Sequence, residues 1–436
     1  MHASPVPASP PSQRQVAAAV AFSALGWAFD LFDLFLLLYV APVLATVFFP
    51  SGRQMLSLAG IYAAFTATLV MRPAGGWLFG RYADRRGRRR AMVVAATGVG
   101  VSTALMGTLP TVQTIGVAAP LMFLALRLVQ GVFMGGMVAS THTLGTESIA
   151  PAHRGLASGI ISGGGSGVGK LLASLMFLVV SALLPGRLYA EWGWRVMFFS
   201  GLLSSLLGLF VFTRLQESPM WQALQQVDPR AAPHAAPAGP GLRGYLPVIL
   251  LGVVLTTAGG GLSYLTSGYL PTFMKLVKHV QPRDLGIMLS LSALAVIASS
   301  VLAGWLTDVV GRKSAMLAYG AASLLLVPLL YAGLARATSL AAIGLYAIAL
   351  SAVGTFCYAP LLIVLNERFP TALRARGTAV TWNIGFALGG SMPVLVSLVA
   401  RASSGLAGAL GVSTAVLAAA YALAAWRAPT RRNLMV

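Results

Sequence analysis

Gly80-Arg-Tyr-Ala-Asp84-Arg-Arg-Gly87-Arg88-Arg89 follows one long apolar segment, and Gly304-Trp-Leu-Thr-Asp308-Val-Val-Gly311-Arg312-Lys313 follows another in the second part of the chain. Both stretches carry Gly, Asp, Gly and two basic residues at the same spacing. Residues 147–155 and 367–377 are also similar to each other, since both begin with Glu and continue to Pro, Arg and Gly. Similarity that recurs in the same order indicates a chain built from two related halves.

The composition is that of a membrane protein. Of 436 residues 57% are hydrophobic and only 9% are charged, whereas soluble domains carry about 25% charged residues. The formal charge of +20 could suggest nucleic-acid binding. A nucleic-acid footprint would gather its basic residues on one folded face, but here they lie between apolar runs. Cys357 is the only cysteine, so no intrachain disulfide can form.

Apolar runs that are long enough to cross a bilayer recur along the whole chain. A transmembrane helix needs about 20 such residues, because backbone polar groups must be paired inside the lipid. The sequence therefore predicts an all-α membrane protein with twelve transmembrane helices in two six-helix halves. The predicted spans are 16–41, 55–80, 90–109, 117–146, 156–184, 194–214, 245–273, 284–309, 314–333, 338–365, 376–400 and 404–426.

The predicted halves comprise residues 16–221 and 244–426. Between them, residues 222–243 are rich in Pro and Ala and read as a linker. Residues 1–15 and 427–436 are predicted tails. The first tail has no apolar run followed by a small-residue cleavage site, so we expect no signal peptide.

The orientation of the spans is predicted from the basic residues of the loops. Cytoplasmic loops carry an excess of Lys and Arg, and the densest basic cluster lies at residues 81–90. Placing this cluster in the cytoplasm makes the linker and both termini cytoplasmic. The sequence thus predicts a multi-pass protein of a bacterial inner membrane.

The repeated motifs resemble those of the major facilitator superfamily over nearly the full chain. The resemblance is carried by residues 80–89, by their copy at 304–313 and by Arg127-Leu-Val-Gln130-Gly131 in the fourth predicted span. Further motifs are similar to those of bacterial proton symporters of organic acids, of the sialate and lactate, aromatic-acid and metabolite types. These motifs are Asp30-Leu-Phe-Asp33, Arg72-Pro73, Trp192-Gly-Trp194-Arg195 and Glu217-Ser-Pro219-Met-Trp221.

This resemblance implies a secondary active transporter that carries a small organic anion together with a proton by alternating access. The expected substrates are mono- or dicarboxylates, aromatic acids or sugar acids. A monomer that contacts lipid, without cofactor, metal or nucleic acid, is expected. Two alternatives are a drug or metabolite/proton antiporter acting as an exporter, and an osmolyte/proton symporter. An enzyme is not expected, since no metal-ligand cluster, activated nucleophile or nucleotide loop is evident.

Asp30 and Asp33 are the predicted proton-coupling residues. They are the only carboxylates in the middle of a predicted span, and a charge at the bilayer centre is costly unless it has a partner or a wet cavity. Three residues apart on a helix, they share a face. Neighbouring carboxylates titrate as a coupled pair. The alternative is that they form structural ion pairs with Arg72 or Arg127.

Four further residues are the predicted substrate contacts. Arg127 and Lys170 are buried bases that suit a carboxylate. The alternatives are that Arg127 pairs with the first-span aspartates and that Lys170 snorkels to the membrane surface. Trp382 and Asn383 could contact the substrate through a ring face and an amide, or serve packing. His142 is expected to pack.

Charged residues in the loops form a predicted cytoplasmic gate. The resemblance implies that they pair in the outward-facing state and separate when the protein opens inward. They are Asp84, Arg88, Glu147, Arg154, Asp308, Arg312, Glu367 and Arg374. The alternative is that the arginines only set the topology.

The stretch from Gly163 to Lys170 resembles a phosphate-binding loop, but Leu171 stands where Ser or Thr is required. Close helix packing through small residues is the favoured interpretation of this stretch and of Gly385, Gly389 and Gly390.

Overall fold

The computed structural model describes residues 13–86, 88–147, 149, 151–214, 242–400 and 402–428. Within these residues all regular secondary structure is helical. The predicted tails and linker lie largely outside them, as do Gly87 and the motif at 217–221.

Six spans form the N-terminal half. A short helix, Val112–Ile115, lies between the third and fourth spans, a 3-10 turn, Pro151–His153, precedes the fifth, and a π-helical turn, Tyr189–Gly193, precedes the sixth. Span 5 is interrupted by a π-helical turn, Gly159–Gly164. The spans are Gln13–Phe48 (span 1), Gln54–Arg86 (span 2), Arg88–Thr108 (span 3), Ala118–Glu147 (span 4), Arg154–Ser158 with Gly165–Leu183 (span 5), and Trp194–Phe199 with Gly201–Arg214 (span 6).

Six spans form the C-terminal half, and three of them are interrupted. Span 7 contains the π-helical turn Tyr264–Gly268, and spans 10 and 11 break near Pro360 and Pro393, because proline cannot donate the next helical hydrogen bond. The spans are Leu242–Tyr245, Leu246–Ser263 and Leu270–Leu276 (span 7), Pro282–Val309 (span 8), Arg312–Arg336 (span 9), Leu340–Phe356 with Leu361–Asn366 (span 10), Thr371–Gly390 with Met392–Val399 (span 11), and Ser403–Gly405 with Leu406–Arg427 (span 12).

Eleven of these spans are long and apolar enough by themselves to cross a membrane, as judged over the described residues. Span 6 is divided at Ser200 into two shorter helices. Several helices extend beyond the predicted ends; span 1, for example, continues to Phe48. Hydropathy detects only the part of a helix that lies in lipid, so helical turns beyond the apolar segment are missed.

The two halves meet through equivalent spans. Span 5 packs against span 8, and span 2 packs against span 11. The sequence repeat relates span 2 to span 8 and span 5 to span 11, so the two contacts are related by the same symmetry. Span 1 lies in the interior, where Leu34, Leu36, Leu37 and Leu38 are fully buried. A helix that is apolar on all sides is typical of such a position.

Glycines allow spans 5 and 8 to touch. A Cβ atom on Gly304 would lie 2.5 Å from the carbonyl oxygen of Gly155, and one on Gly159 would collide with the carbonyl oxygen of Ser300. Within 163–169, Gly167 faces Ile297 of span 8 and Gly169 faces the carbonyl oxygen of Ala28 in span 1. Close packing in this stretch agrees with the small-residue interpretation.

Candidate functional site

Asp30 and Arg72 form a buried ion pair inside the N-terminal half. An Nη atom of Arg72 donates a hydrogen bond of 2.8 Å to Oδ1 of Asp30. The guanidinium group also lies 5.6 Å from the ring centre of Phe386 in span 11. The pair therefore sits at the interface with the C-terminal half, where a movement of span 11 would change its surroundings.

Asp33 belongs to a second buried polar chain. Its Oδ1 atom lies 3.3 Å from the hydroxyl of Thr103 in span 3. The side-chain amide of Gln130 donates to the same hydroxyl at 2.7 Å. Arg127, which is fully buried, donates to Oε1 of Gln130. Its Nε and one Nη atom have no hydrogen-bond partner among the described residues.

The two aspartates thus have different surroundings: Asp30 forms a direct ion pair with Arg72, and Asp33 belongs to a hydrogen-bonded chain with Thr103, Gln130 and Arg127. Thr103 and Gln130 were not predicted as site residues. The sequence does show them as polar residues in apolar spans, since Ser102-Thr103 lies in span 3 and Gln130 lies in span 4.

Lys170 points from span 5 into the interface between the halves. Its side chain is buried, and Nζ donates to the Ser263 hydroxyl of span 7 at 3.3 Å. Nζ also lies 5.0 Å from the ring centre of Phe35, within the range of a cation–π contact. No carboxylate of the described residues is within salt-bridge distance of Lys170. Lys170 therefore does not snorkel to the membrane surface in this conformation.

Aromatic side chains fill the space between the halves. The indole N–H of Trp27 donates to the Tyr358 hydroxyl at 2.9 Å. Trp382 packs edge-on against Trp27 at 5.3 Å and stacks on Phe386 at 5.3 Å. Tyr264 contacts Phe386 at 5.2 Å. This layer lies directly beside the Asp30–Arg72 pair.

The two predicted contacts in span 11 differ in their surroundings. Trp382 is buried in the aromatic layer. The amide nitrogen of Asn383 donates to the carbonyl oxygen of Ala379 in its own helix at 2.8 Å. Its oxygen is buried without a hydrogen-bond partner among the described residues.

Asp308 joins the halves at one end of the interface. Its two carboxylate oxygens accept hydrogen bonds from the backbone amides of Gly155 at 2.9 Å and Leu156 at 2.8 Å. These amides begin span 5, and a carboxylate is favourable at the N-terminus of a helix. Arg312 pairs with Asp308 at 2.7 Å and with Glu367 at 3.1 Å. Three predicted gate residues of the C-terminal half, Asp308, Arg312 and Glu367, thus lie together.

Other predicted gate residues have different contacts. Arg154 donates to the carbonyl oxygen of Ile149 at 3.2 Å, and Arg374 donates to that of Asn366 at 3.2 Å. The side chains of Asp84, Arg88, Glu147 and His142 lie outside the described residues.

The opposite end of the interface is also closed. The hydroxyls of Tyr62 in span 2 and Thr272 in span 7 lie 2.7 Å apart. The Tyr62 ring stacks on Tyr269 at 5.0 Å. With contacts at both ends and an aromatic layer between them, the described part of the chain adopts an occluded conformation. No group of His, Cys, Asp and Glu in this part could hold a metal ion.

The family model described as Major Facilitator Superfamily matches residues 16–393. The chain is 30% identical over 409 residues to the inner membrane metabolite transport protein YhjE of Escherichia coli strain K12, covering 91% of this chain and 90% of that protein. It is 27% identical to a citrate-proton symporter of Klebsiella pneumoniae, covering 84% and 81%. It is 26% identical to a proline/betaine transporter of Escherichia coli strain K12, covering 89% and 78%.

A solved structure has the same fold. The proton:xylose symporter XylE, bound to 6-bromo-6-deoxy-D-glucose, superposes with a TM-score of 0.72 at 18% identity, covering 94% of each chain. This likeness confirms the predicted arrangement of twelve membrane helices in two six-helix halves.

Proposed function

The chain belongs to the major facilitator superfamily, and we propose that it carries a small organic anion across the membrane together with a proton. Membership makes the chain a multi-pass membrane transporter and not an enzyme. The anionic substrate, the direction of proton coupling and the residues involved are parts of the proposal.

The observation that carries the proposal is the balance of buried charge between the two closed ends. Among the residues that the structure describes, three bases are buried there, Arg72, Arg127 and Lys170, but only two acids, Asp30 and Asp33. An unneutralised charge at the bilayer centre costs about 2.5–3.5 kcal/mol on insertion scales. A bound carboxylate would supply the missing negative charge. The similarity to a citrate-proton symporter supports an anionic substrate.

Asp30 and Asp33 are the proposed proton carriers. Protonation of a carboxylate removes its attraction for a neighbouring guanidinium group. Arg127 would then be free to attract an anion, and so would Arg72 once Asp30 is neutral. Proton binding from one side therefore prepares the site for the substrate, and the loss of substrate on the other side favours release of the proton.

The proposed cycle requires the two predicted halves, residues 16–221 and 244–426, to rock about this site. Opening at the Asp308 end would break its contacts with span 5, and opening at the other end would separate Tyr62 from Thr272. We assign the Asp308 end to the cytoplasm of an inner-membrane protein, because the Arg-rich loops lie at that end.

The test is uptake of labelled carboxylates into proteoliposomes with an imposed pH gradient, with Asp30→Asn and Asp33→Asn examined separately. We expect at least one variant to lose proton-driven uptake but to keep exchange of substrate across the membrane in the absence of a gradient. If both variants keep proton-driven uptake, the coupling assignment is wrong. Uptake driven by an outward proton gradient would instead indicate an antiporter.

An osmolyte/proton symporter is the second candidate. The aromatic layer of Trp27, Tyr264, Tyr358, Trp382 and Phe386 could accept a quaternary ammonium group, and the similarity to a proline/betaine transporter supports this class. The excess of buried bases favours the anion. Competition of labelled uptake by betaine, compared with competition by carboxylates, separates the two.

A further inference from the structure

A small cavity lies beside Lys170 and is lined by both halves. Its volume is about 10 Å³, near the room that one water molecule needs. The N-terminal half contributes Tyr39 and Lys170. The lining residues of the C-terminal half are Ser267, Leu289, Ser292, Ala293, Val296 and Ser351. The cavity therefore closes only when the halves are together.

Two hydroxyls at this cavity are buried without a hydrogen-bond partner among the described residues. Ser267 and Ser292 are 5% and 4% exposed, and neither Oγ atom has a hydrogen-bond partner among the described residues. A buried polar group that lacks a partner destabilises the protein by about 1–3 kcal/mol. The hydroxyl of Ser351 lines the same cavity but donates to the carbonyl oxygen of Thr266. Of the three serines that line the cavity, two therefore have a hydroxyl without a hydrogen-bond partner among the described residues.

The geometry of span 7 brings its serines to Lys170. Ser263 and Ser267 are four residues apart, at either side of the start of the π-helical turn, and residues at this spacing share a helix face. Ser263 accepts a hydrogen bond from Lys170, and Ser267 lines the cavity next to it. Isolated π-helical turns inside helices are frequent at functional sites.

We propose that Lys170, Ser267 and Ser292 form the subsite that binds the carboxylate group of the substrate. This inference rests on the proposed transport of an organic anion. An ammonium group has three donors and each hydroxyl has one, while a carboxylate offers about four acceptor positions. Such a set of donors suits an anion and disfavours a cation. Leu289, Ala293 and Val296 form the apolar side of the cavity and limit it to a compact group.

The subsite is assembled from both halves, and this explains how binding is connected to closure. The cavity is only water-sized in this conformation, so a carboxylate enters when spans 5, 7 and 8 move apart, and the substrate-bound closed state holds them further apart than they are here. Closure then brings the two serines of the C-terminal half against an anion held by Lys170 of the N-terminal half. Serine hydroxyls in spans 7 and 8 consequently determine affinity, although they take no part in proton transfer.

The proposal is tested by substrate exchange in proteoliposomes without a pH gradient, with labelled lactate, succinate, benzoate and gluconate as probes. We expect Ser267→Ala and Ser292→Ala each to raise the half-saturation concentration of the transported probe about ten-fold, as the loss of a hydrogen bond to a charged group does. Proton coupling, measured separately with a gradient, should persist in both variants. Ser267→Thr, which keeps the hydroxyl, should retain most of the affinity.

Ser351→Ala is the matched control, because its hydroxyl lines the cavity but is already bonded; its half-saturation concentration should stay within about two-fold of the unmodified protein. Unchanged affinity in both Ser267→Ala and Ser292→Ala, in a protein that transports one of the carboxylates, would overturn the subsite and leave the proposed function intact. If the unmodified protein transports none of the four probes but accepts betaine, both the function and the subsite are wrong.

Discussion

The indole N–H of Trp27 in span 1 donates a hydrogen bond of 2.9 Å to the hydroxyl of Tyr358 in span 10. Both side chains are buried, and they belong to different halves of the protein. The bond must therefore break whenever the halves separate around these residues. Contacts of this kind determine how strongly the occluded conformation is favoured over open ones.

Replacing the tyrosine in Tyr358→Phe removes this bond and keeps the ring. We expect the closed conformation to lose about 1 kcal/mol relative to open ones, the usual net value of a hydrogen bond. The measurement is the distance between spin labels at the exposed positions His153 and Val310, in a chain with Cys357→Ser. The variant should show a larger population at long distance.

Tyr319→Phe is the control for this change. The Tyr319 hydroxyl donates to the carbonyl oxygen of Ala303 within the C-terminal half, so its loss should leave the label distances unchanged. Equal distance distributions for Tyr358→Phe and the unmodified protein would contradict the prediction.

Asp308→Ala should open the Asp308 end of the interface, and more strongly than Tyr358→Phe. The change removes two backbone hydrogen bonds to span 5 and an ion pair with Arg312. We expect the closed conformation to be destabilised by about 2 kcal/mol relative to open ones. The same spin-label pair measures it. Glu191→Gln breaks an ion pair of similar length, 2.8 Å, that is exposed, and exposed pairs contribute little. An effect of equal size in both variants would argue against a role for Asp308 in closure.

Gly304→Ala tests the close contact of spans 5 and 8. The added Cβ would lie 2.5 Å from the carbonyl oxygen of Gly155, and backbone atoms must move apart to accept it. We expect the closed conformation to be disfavoured by about 1–3 kcal/mol, as for other overpacked contacts. Gly408→Ala, which adds a methyl group with nothing within 4 Å, is the control. The prediction fails if Gly304→Ala and Gly408→Ala show the same distribution of label distances.

Arg195→Gln should lower thermal stability without affecting the closed ends. Arg195 donates to the carbonyl oxygens of Gly107 and Leu109, both at 2.8 Å, at the C-terminal end of span 3. A cation in this position also interacts favourably with the helix dipole. We expect the free energy of unfolding to fall by about 1–3 kcal/mol. Labelling of the single, buried thiol of Cys357 during heating measures the unfolding midpoint.

Arg187→Gln is the comparison for Arg195→Gln, because the Arg187 side chain is 91% exposed and pairs only with neighbouring Glu191 among the described contacts. Its unfolding midpoint should match that of the unmodified protein. A midpoint for Arg195→Gln that is no lower would show that the two carbonyl contacts are dispensable.

Hydropathy and the repeated motifs were sufficient to predict the fold. They indicated twelve spans and two halves because the requirement for paired backbone groups in lipid acts on every residue of a span. They did not predict the breaks of span 7 and span 11, since a π-helical turn and a proline at the start of a new helix leave hydropathy unchanged. Helix ends beyond the lipid were missed for the same reason.

The candidate site could be predicted only as a set of residue types. Buried charges are rare and conspicuous, so Asp30, Asp33, Arg127 and Lys170 were found from the sequence. Arg72 and Arg127 could be named from the sequence as possible partners of the aspartates, but which base faces which acid depends on the helix faces that meet. Nothing in one sequence indicates that Gln130 links Arg127 to Thr103. Ser267 and Ser292 were missed because serine is unremarkable in a membrane helix until its neighbours are known.

Span 5 touches span 1 through Gly165 and Gly169, and span 8 through Gly163 and Gly167. Because these glycines bring span 5 into close contact with both neighbouring helices, span 5 cannot rotate or slide without moving against both of them. Lys170 directly follows this stretch, so its ammonium group changes position together with the tilt of the helix. Separation of the halves would move this positive charge away from the serines of span 7. The substrate would therefore be bound less strongly as the exit opens.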